Sequence, residues 1–416
     1  MTRFHGRGGI YVVVLATACI VTIIGLASMA TWRLQAAAAN ATADAAEARL
    51  NANSAVEAAA YYLNSDSNWR TNRSQGTWWS GVSIGRGTYA IAGTDPTDGD
   101  FTNRPYDNLL LTCTGRAGAA THVLTVTLKP QGTPIAALAN AVTTVGQLHV
   151  NSGLTLTASG APAYTNGELR LDGNIAGSAR CFTLNGSASS ASGGVTLLAP
   201  SLPMPDPSVF TMYASIGTVI APGTTINNAV LGPGVNSLGG SVNPDGVYVI
   251  NATGDITIQK LRVLGTLVII NTGHKVTISG PVFMQPARSD YPALLVKGQL
   301  VLQYDSTTTL SEASAGFNFN PIGAAYQGAT DSDTADTYPC EIQGLVHSTD
   351  QSLMLNNALI RGAFICESNA SSDAVRLNGN AAVIYDPTLY SNPPMGYTTS
   401  VTMKILAGSW QQSVLP

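Results

Sequence analysis

The sequence has few charged residues and lacks the short motifs that mark many catalytic and nucleic-acid-binding sites. Charged side chains make up 11% of the 416 residues, against about 25% in an ordinary soluble domain. The net charge is −4 and no basic run is interleaved with aromatic residues, which argues against nucleic acid as a partner. The absence of CxxC, HExxH, P-loop and glycine-rich dinucleotide motifs removes zinc ribbons, thioredoxin-like sites and nucleotide-binding loops from consideration.

Cysteine is also scarce. Cys19 lies within an apolar N-terminal run, and the other four are Cys113, Cys181, Cys340 and Cys366. An even number of cysteines in an exported segment permits two disulfides with three connectivities, and the favoured pair is Cys340–Cys366. Four separate buried thiols are the alternative, because free cysteine is among the most buried residue types.

A long helical stretch near the N-terminus is the most prominent feature that is present. Ile10–Ala30 has no charge and no proline and follows Arg3, His5 and Arg7. A run of this length is enough to cross the hydrocarbon core of a bilayer as a helix. Thr31–Leu63 continues as an alanine-dominated, proline-free segment. Together they predict one rod of about 80 Å, with a membrane-spanning part and a stalk.

Arg7-Gly8-Gly9 in front of this helix resembles the signal of type IV pilins and type II secretion pseudopilins, and specifically a PilX-like N-terminus. In that family a prepilin peptidase cuts after a glycine on the cytoplasmic side. The resemblance therefore implies processing after Gly8 or, as the second choice, after Gly9. Major subunits of the family carry glutamate at the fifth mature position, where this chain has Val13 or Val14. That departure indicates a minor, tip-located subunit.

The resemblance also implies partners and a location. The N-terminus would stay in the cytoplasm of a bacterium and the helix would cross the inner membrane. The exported part would then be periplasmic, or extracellular once it is assembled in a filament. The implied partners are the prepilin peptidase, the inner membrane, and other pilin or pseudopilin subunits that contact the N-terminal helix. A signal-anchored surface protein, whose helix serves only as a stalk, is the alternative.

Residues 65–130 predict a small antiparallel sheet. Val82–Ile84 and Gly87–Ile91 alternate like a hairpin, and Asn108–Thr114 and Thr121–Leu128 form a second pair of strands. A long helix followed by such a sheet resembles the layout of a pilin subunit.

Several oxygen-bearing side chains lie between these hairpins. Asp95, Asp98 and Asp100 share a glycine-containing loop, and Asn103 and Asp107 follow. Carboxylate oxygens are the ligands that Ca²⁺ prefers, so we expect a Ca²⁺ site at Asp95, Asp98 and Asp100, the one cofactor suggested by the sequence. The spacing does not match an EF-hand loop, and Asp, Asn and Gly are also ordinary turn residues.

Residues 131–416 consist of many short β runs that begin at glycine, such as Gly146–Val150, Gly167–Leu171 and Gly265–Ile270. Alternating apolar residues in short repeated runs predict a parallel β-helix, a solenoid whose coils bury their Leu, Val and Ile side chains. A β-sandwich with long loops is the alternative. The proline-rich residues 199–207 interrupt the series and predict an extended strap.

Parallel β-helices often carry polysaccharide lyases and glycosidases, which need two carboxylates that flank the scissile bond. The densest acidic group here is Asp331, Asp333 and Asp336, in a Gly-, Ser- and Thr-rich loop that reads as a solvated loop or a weak cation site. The sequence therefore predicts a protein that is not an enzyme.

The predicted chain is mainly β and has four parts. They are a leader (1–8), a transmembrane and stalk helix (9–64), a pilin-like β module (65–130) and a β-helical ectodomain (131–416). The predicted function is that of a minor pilin-like structural subunit with an adhesive ectodomain that binds surface polysaccharide or another cell-surface ligand. The alternative is a signal-anchored surface β-helix protein that binds or cleaves polysaccharide.

Overall fold

The structure is a computed structural model that describes residues 8–102, 106–221, 223, 225–304, 309–355 and 357–414. The chain divides into two compact units. Unit 1 comes from Met1–Gln131 and Thr402–Pro416, and unit 2 from Gly132–Val401. The predicted division differs at the C-terminus, because it assigned residues 402–416 to the ectodomain. Two strands in this terminal segment pair with strands of unit 1, which the sequence pattern of an isolated strand does not reveal.

The described residues form five α-helices and thirty strands. The helices are α1 (Gly8–Ser65), α2 (Trp69–Asn72), α3 (Ser208–Ile216), α4 (Glu312–Ala315) and α5 (Thr388–Ser391). The strands, in chain order, are β1 (Gly76–Ile84), β2 (Gly87–Thr94), β3 (Leu109–Ala117), β4 (Ala120–Pro134), β5 (Val142–Thr144), β6 (Leu148–Val150), β7 (Thr155–Ser159), β8 (Ala163–Thr165), β9 (Glu168–Leu171), β10 (Asn174–Ala176), β11 (Ala179–Arg180), β12 (Thr183–Gly186), β13 (Val195–Thr196), β14 (Thr218–Ile220), β15 (Thr225–Gly232), β16 (Val235–Asn236), β17 (Val247–Asn251), β18 (Ile256–Leu264), β19 (Thr266–Ser279), β20 (Val282–Gln285), β21 (Leu294–Gln303), β22 (Thr309–Ser311), β23 (Thr337–Pro339), β24 (Glu341–Ser348), β25 (Ser352–Leu355), β26 (Ala358–Cys366), β27 (Val375–Leu377), β28 (Ala381–Tyr385), β29 (Thr398–Ile405) and β30 (Gln411–Val414).

Unit 1 combines the long helix α1 with an antiparallel sheet. The sheet has the order β1-β2-β3-β4-β29, and β30 also pairs with β4. Both predicted strand pairs form, β1 with β2 and β3 with β4. Leu109, Leu111 and Cys113 alternate along β3 as fully buried residues, so one face of the sheet forms the core of the unit.

Helix α1 is continuous from Gly8 to Ser65, close to the predicted rod of Ile10–Leu63. Its interior has no proline, and its alanine-rich half has high helix propensity. It ends at a cluster of turn residues, where Ser65 Oγ donates a hydrogen bond to the Tyr61 carbonyl at 2.8 Å and Asp66 Oδ1 accepts one from the Asn68 amide at 2.9 Å. Side chains that bond to nearby backbone in this way compete with the helix and favour its end.

Unit 2 contains a 22-stranded sheet whose strands stack in parallel into a solenoid, as expected for a β-helix. The sheet has three continuous ladders. One runs β14-β17-β19-β21-β24-β26-β5-β8-β11-β13. The interior of the solenoid is lined by the apolar side chains of successive coils, for example Leu148, Leu169 and Val375, each with no exposed surface. The prediction of a mainly β protein with a parallel β-helix is confirmed, and the β-sandwich alternative is wrong.

The coils are not stacked in the order of the chain. Strands β5–β13 form successive coils that stack in chain order. The proline-rich residues 199–207, which have no helix or strand, then connect the last of these coils to α3. Strands β14–β21 and β24–β28 form the remaining coils, and their last strands β26, β27 and β28 pair in parallel with β5, β6 and β7. The solenoid is thus assembled from two chain segments that meet at one seam.

Candidate functional site

The first half of α1 carries an apolar surface that packs on no other part of the chain among the residues that the structure describes. Ile10 is 69% exposed and Leu34 is 72% exposed, and the large apolar residues between them are similarly open. The most apolar window of the helix has a mean hydropathy of 2.6, and by length and composition α1 could cross a membrane. The candidate processing residues Gly8 and Gly9 lie in its first turn. The preceding leader residues, including Arg3, His5 and Arg7, lie outside the described part of the chain.

The second half of α1 packs on the sheet of unit 1 through small side chains. Ala48, Ala52, Ala55 and Ala59 are fully buried, at spacings of three and four residues that place them on one face of the helix. Gly115 in β3 permits the close approach, because a Cβ atom there would lie 2.1 Å from the Ala48 carbonyl oxygen. One helix therefore has two surfaces, a docked small-residue face and an undocked apolar half.

The acidic loop after β2 brings together a set of carboxylates that differs from the predicted one. Ligand oxygens of Asp95, Asp98 and Asp107 lie within 4.8 Å of one another. Asp100 does not belong to this group. Its Oδ1 accepts hydrogen bonds from the amide and the hydroxyl of Thr102 at 2.8 and 2.7 Å, and these bonds lower the pKa of Asp100. The predicted ligand set is corrected accordingly, and Asn103 lies outside the described residues.

Asp95 is the buried member of this first acidic cluster. It is 4% exposed, its Oδ1 accepts from the Thr97 amide at 2.8 Å, and its Oδ2 has no hydrogen-bond partner among the described residues. The guanidinium of Arg70 lies nearby and donates to the Asp107 carbonyl. Burial lowers the pKa of Arg70, while the charges of Asp107 and Asp95 oppose that shift. Since the cluster already faces a buried cation, Ca²⁺ binding at this loop stays a prediction.

A second acidic cluster lies in unit 2. Ligand oxygens of Glu312, Asp331 and Asp333 lie within 4.8 Å of one another, and Asp336 is close to all three. Burial and then the negative charges of Asp331, Glu312 and Asp333 raise the pKa of Asp336. The sequence singled out the three aspartates, whereas Glu312 precedes them by some twenty residues. Glu312 follows Ser311, which caps α4 by accepting a hydrogen bond from the Ser314 amide. Nothing in the sequence around Glu312 indicates that it lies beside the three aspartates.

A histidine bridges two carboxylates on the outside of the solenoid. His149 Nε2 lies 2.9 Å from Asp172 Oδ2 and its Nδ1 lies 2.6 Å from Asp373 Oδ1. Arg170 and Arg376 each donate to one of these carboxylates. The hydrogen bond with His149 is the main cause that lowers the pKa of Asp172. Strand register aligns the three basic residues across β27, β6 and β9, so this group forms a cross-coil ion-pair ladder.

The predicted Cys340–Cys366 disulfide does not fit the strand register. Cys366 pairs with Ser348, which lies eight residues after Cys340 on the neighbouring strand. An offset of eight residues along the strands does not bring the two Cα atoms within the roughly 7 Å that a disulfide needs, and among the described residues neither cysteine forms a disulfide. Cys113 and Cys366 are buried, and burial raises the pKa of both thiols, that of Cys113 to about 12.

A groove with both polar and apolar walls follows the outer face of several coils of unit 2. Its walls include amide, guanidinium, carboxylate and aromatic side chains, among them Gln285, Gln343, Arg361, Tyr385 and Asp386. Arg361 Nε donates to the buried carboxylate of Glu341 at 2.6 Å. The groove therefore offers several hydrogen-bonding groups on a rigid stack of strands.

Comparisons with known proteins do not assign this chain to a family. No protein-family model matches the chain, and no curated protein is similar to it. Among solved structures, the chain is similar to the competence-associated pilin ComZ from Thermus thermophilus, with 11% sequence identity and a TM-score of 0.30 over 90% of this chain and 98% of that chain. A TM-score below 0.5 does not establish that two proteins share a fold or a function.

Proposed function

We propose that this chain is a minor pilin-like structural subunit of a type IV pilus or a type II secretion-like filament. The observation that carries the proposal is the division of α1 into two surfaces. Its C-terminal half packs on the sheet of its own unit, and in its N-terminal half Ile10–Ala30 is exposed throughout and carries no charged side chain. Such a surface is unstable in water and needs lipid or another protein as its surroundings.

Lipid and like helices are both suitable surroundings for this half of α1. Its length and hydropathy match a bilayer span, and its alanine-rich continuation permits close helix–helix contact, since small side chains let backbones approach. We therefore propose that α1 is first held in the bacterial inner membrane, with the N-terminus in the cytoplasm and the ectodomain exported, and then packs against other pilin or pseudopilin subunits. The unit 2 solenoid would be displayed on the filament. No catalytic role is proposed.

Processing at Gly8 or Gly9 distinguishes this function from that of a signal-anchored surface protein. In cells with an active prepilin peptidase, we expect mass spectrometry of the purified protein to give a mature N-terminus at Gly9 or Ile10. The matched control is the double variant Gly8→Val, Gly9→Val, which removes both candidate cut sites and should retain the leader. A wild-type chain that keeps Met1 in those cells would exclude the pilin-like function and favour the signal-anchored protein.

The adhesive role is proposed for the groove of unit 2 that Gln285 and Arg361 line, with surface polysaccharide as the ligand. Sugar hydroxyls can bond to the amide and charged groups that line it, and a few polar groups in a largely apolar cleft can orient a ligand. We expect full-length protein in detergent to bind members of a glycan array, and Gln285→Ala to weaken binding about fivefold, the effect of one hydrogen bond. Gln303→Ala, at the end of the neighbouring strand and outside the groove, is the control. Equal effects of both variants, or no glycan bound, would contradict the proposal.

A further inference from the structure

Between β21 and β24 the chain leaves the solenoid and forms a small excursion, which we call the 309–339 insertion. It contains β22, α4 and β23, and β22 pairs with β23 in an antiparallel ladder. Leu310, Phe319 and Tyr338 from this insertion are fully or almost fully buried against Phe283 of the solenoid. The insertion therefore has a small apolar core of its own.

A buried arginine attaches the insertion to the solenoid. Arg262 in β18 has no exposed surface, and its Nη1 donates to the carbonyls of Phe319 and Ala324 at 2.6 and 2.5 Å. Its Nη2 donates to the Ala325 carbonyl at 2.7 Å. The guanidinium thus donates its hydrogen bonds to backbone carbonyls. Its charge acts on Glu312 and Asp336 only at longer range, and among the described residues it forms no ion pair with either.

Four carboxylates converge within this insertion. Glu312, which is fully buried, accepts hydrogen bonds from the Phe319 amide at 2.6 Å, the Tyr338 hydroxyl at 2.8 Å and the Asp336 amide at 3.1 Å. Asp331, Asp333 and Asp336 complete the group. Among the described residues, none of the four forms an ion pair with a lysine, arginine or histidine. Like charges at this spacing repel one another unless a cation compensates them.

Asn320 gives a second and independent indication of a ligand. Its side chain is 2% exposed and reaches between two of the carboxylates, with Nδ2 2.9 Å from Asp336 Oδ2 and 3.4 Å from Asp331 Oδ2. Its Oδ1 is buried without a hydrogen-bond partner in the part of the chain that the structure describes. The two ends of an amide have nearly the same shape, so a half-turn of this group would present Oδ1 to the carboxylates. In the structure Nδ2 faces the carboxylates, and a cation bound between them would favour the opposite orientation of the amide.

We propose that the 309–339 insertion holds a Ca²⁺ ion, bound by Glu312, Asp331, Asp333, Asp336 and the Oδ1 atom of Asn320. All of these ligands are oxygens, which Ca²⁺ prefers, and no nitrogen or sulfur ligand suited to zinc is among them. Ca²⁺ binds its ligands at about 2.4 Å, so oxygens on opposite sides of the ion lie about 4.8 Å apart. The ligand oxygens of Glu312, Asp331 and Asp333 lie within that limit.

The ion would stabilise the insertion as a folded element. It would cancel the repulsion among the four carboxylates and connect both ends of the insertion, since Glu312 follows β22 and Asp336 precedes β23. The site is separate from the acidic cluster at Asp95 in unit 1, and it does not depend on the proposed filament function.

Hydrogen exchange measured by mass spectrometry tests the site on the full-length protein in detergent. We expect Ca²⁺ at about 2 mM, above the range of about 10⁻⁴–10⁻³ M common for extracellular sites, to slow exchange at residues 309–339 about tenfold relative to EDTA-treated protein. The double variant Asp331→Asn, Asp333→Asn keeps the shape of both side chains and should abolish this protection. Asp95→Asn, Asp98→Asn removes charge from the other cluster and should leave it intact.

A single substitution at an exposed position keeps the test valid if the double variant fails to fold. Asp333→Asn alone changes an exposed residue and should weaken the Ca²⁺ dependence about tenfold in calcium concentration, with unchanged exchange in EDTA. Mg²⁺ at the same concentration should give little protection, because it requires a tighter octahedral shell. If Ca²⁺ leaves exchange at residues 309–339 unchanged in the wild type, or protects the double variant equally, the site is an acidic cluster held only by hydrogen bonds and the proposal is wrong.

Discussion

At the scale of single residues, small side chains set the distance between α1 and its sheet. Ala52 is fully buried, and its backbone nitrogen would lie 2.4 Å from a Cβ atom placed on Gly115. Asn51 adds a directional contact, since its Nδ2 donates to the Arg116 carbonyl at 3.0 Å. The alanine-rich composition that is suited to helix contacts in a filament is therefore also needed for packing within unit 1.

Enlarging Ala52 should push α1 away from the sheet. We expect Ala52→Leu to lower the free energy of unfolding of unit 1 by about 1–3 kcal/mol, the usual cost of overpacking a well-filled core. All five tryptophans, Trp32, Trp69, Trp78, Trp79 and Trp410, lie in this unit, so tryptophan fluorescence during urea denaturation reports on it selectively.

The matched control for this substitution is Ala45→Leu in the same helix. Ala45 is exposed, and the two changes have the same effect on helix propensity. Ala45→Leu should alter the denaturation midpoint little. Equal destabilisation by both variants would mean that helix–sheet packing does not limit the size of residue 52.

Single residues were the hardest part to predict from sequence. The prediction of an acidic cluster after β2 found Asp95 and Asp98, but it chose Asp100, whose oxygen is used in a local turn with Thr102. The preferred cysteine pair failed for a related reason, because position along a parallel ladder is fixed by register and not by distance in sequence. A buried arginine such as Arg262 leaves no sequence signal, since its partners are backbone carbonyls.

At the scale of elements, local sequence patterns were sufficient to predict the long helix, the hairpins and the parallel coils. The absence of proline and the apolar and alanine-rich composition predicted α1 to within two residues at each end. Alternation predicted the hairpins of unit 1. Repeated glycine-led apolar runs predicted parallel coils because each coil must bury its alternate side chains against the next. These signals are local and need no knowledge of distant partners.

The order of the coils could not be predicted in this way. Parallel stacking joins residues that are far apart in sequence, and short apolar runs of similar composition can pair with many others. The seam between β5–β7 and β26–β28 joins residues more than 200 positions apart. The proline-rich residues 199–207 were predicted to form an extended strap, and their sequence does not show that the chain restarts the solenoid elsewhere.

At the scale of the whole molecule, the chain crosses between the two units twice, after Gln131 and before Thr402. Unit 2 is therefore inserted in the chain of unit 1, and its own solenoid is divided into two segments. The segments meet through backbone hydrogen bonds such as Phe364 N to the Ala141 carbonyl at 2.9 Å and Val375 N to the Gln147 carbonyl at 3.0 Å. The connecting strap adds covalent continuity but no rung of the sheet.

Cutting the strap should therefore leave the solenoid assembled. We expect a chain with a specific protease site introduced at the exposed residue Asp206 to remain one species on size-exclusion chromatography after cleavage. The amides of Phe364 and Val375 should keep their slow hydrogen exchange, because their hydrogen bonds belong to the seam.

Slow exchange of these seam amides is the decisive measurement. Chromatography alone is not sufficient, since β29 and β30 also join the sheet of unit 1 and could hold the fragments together. The control is Leu148→Asp, which places a charge at a fully buried seam position at a cost of several kcal/mol and should make these amides exchange rapidly after cleavage. Rapid exchange in the cleaved chain without this substitution would show that the strap, and not the ladder, holds the two segments in register.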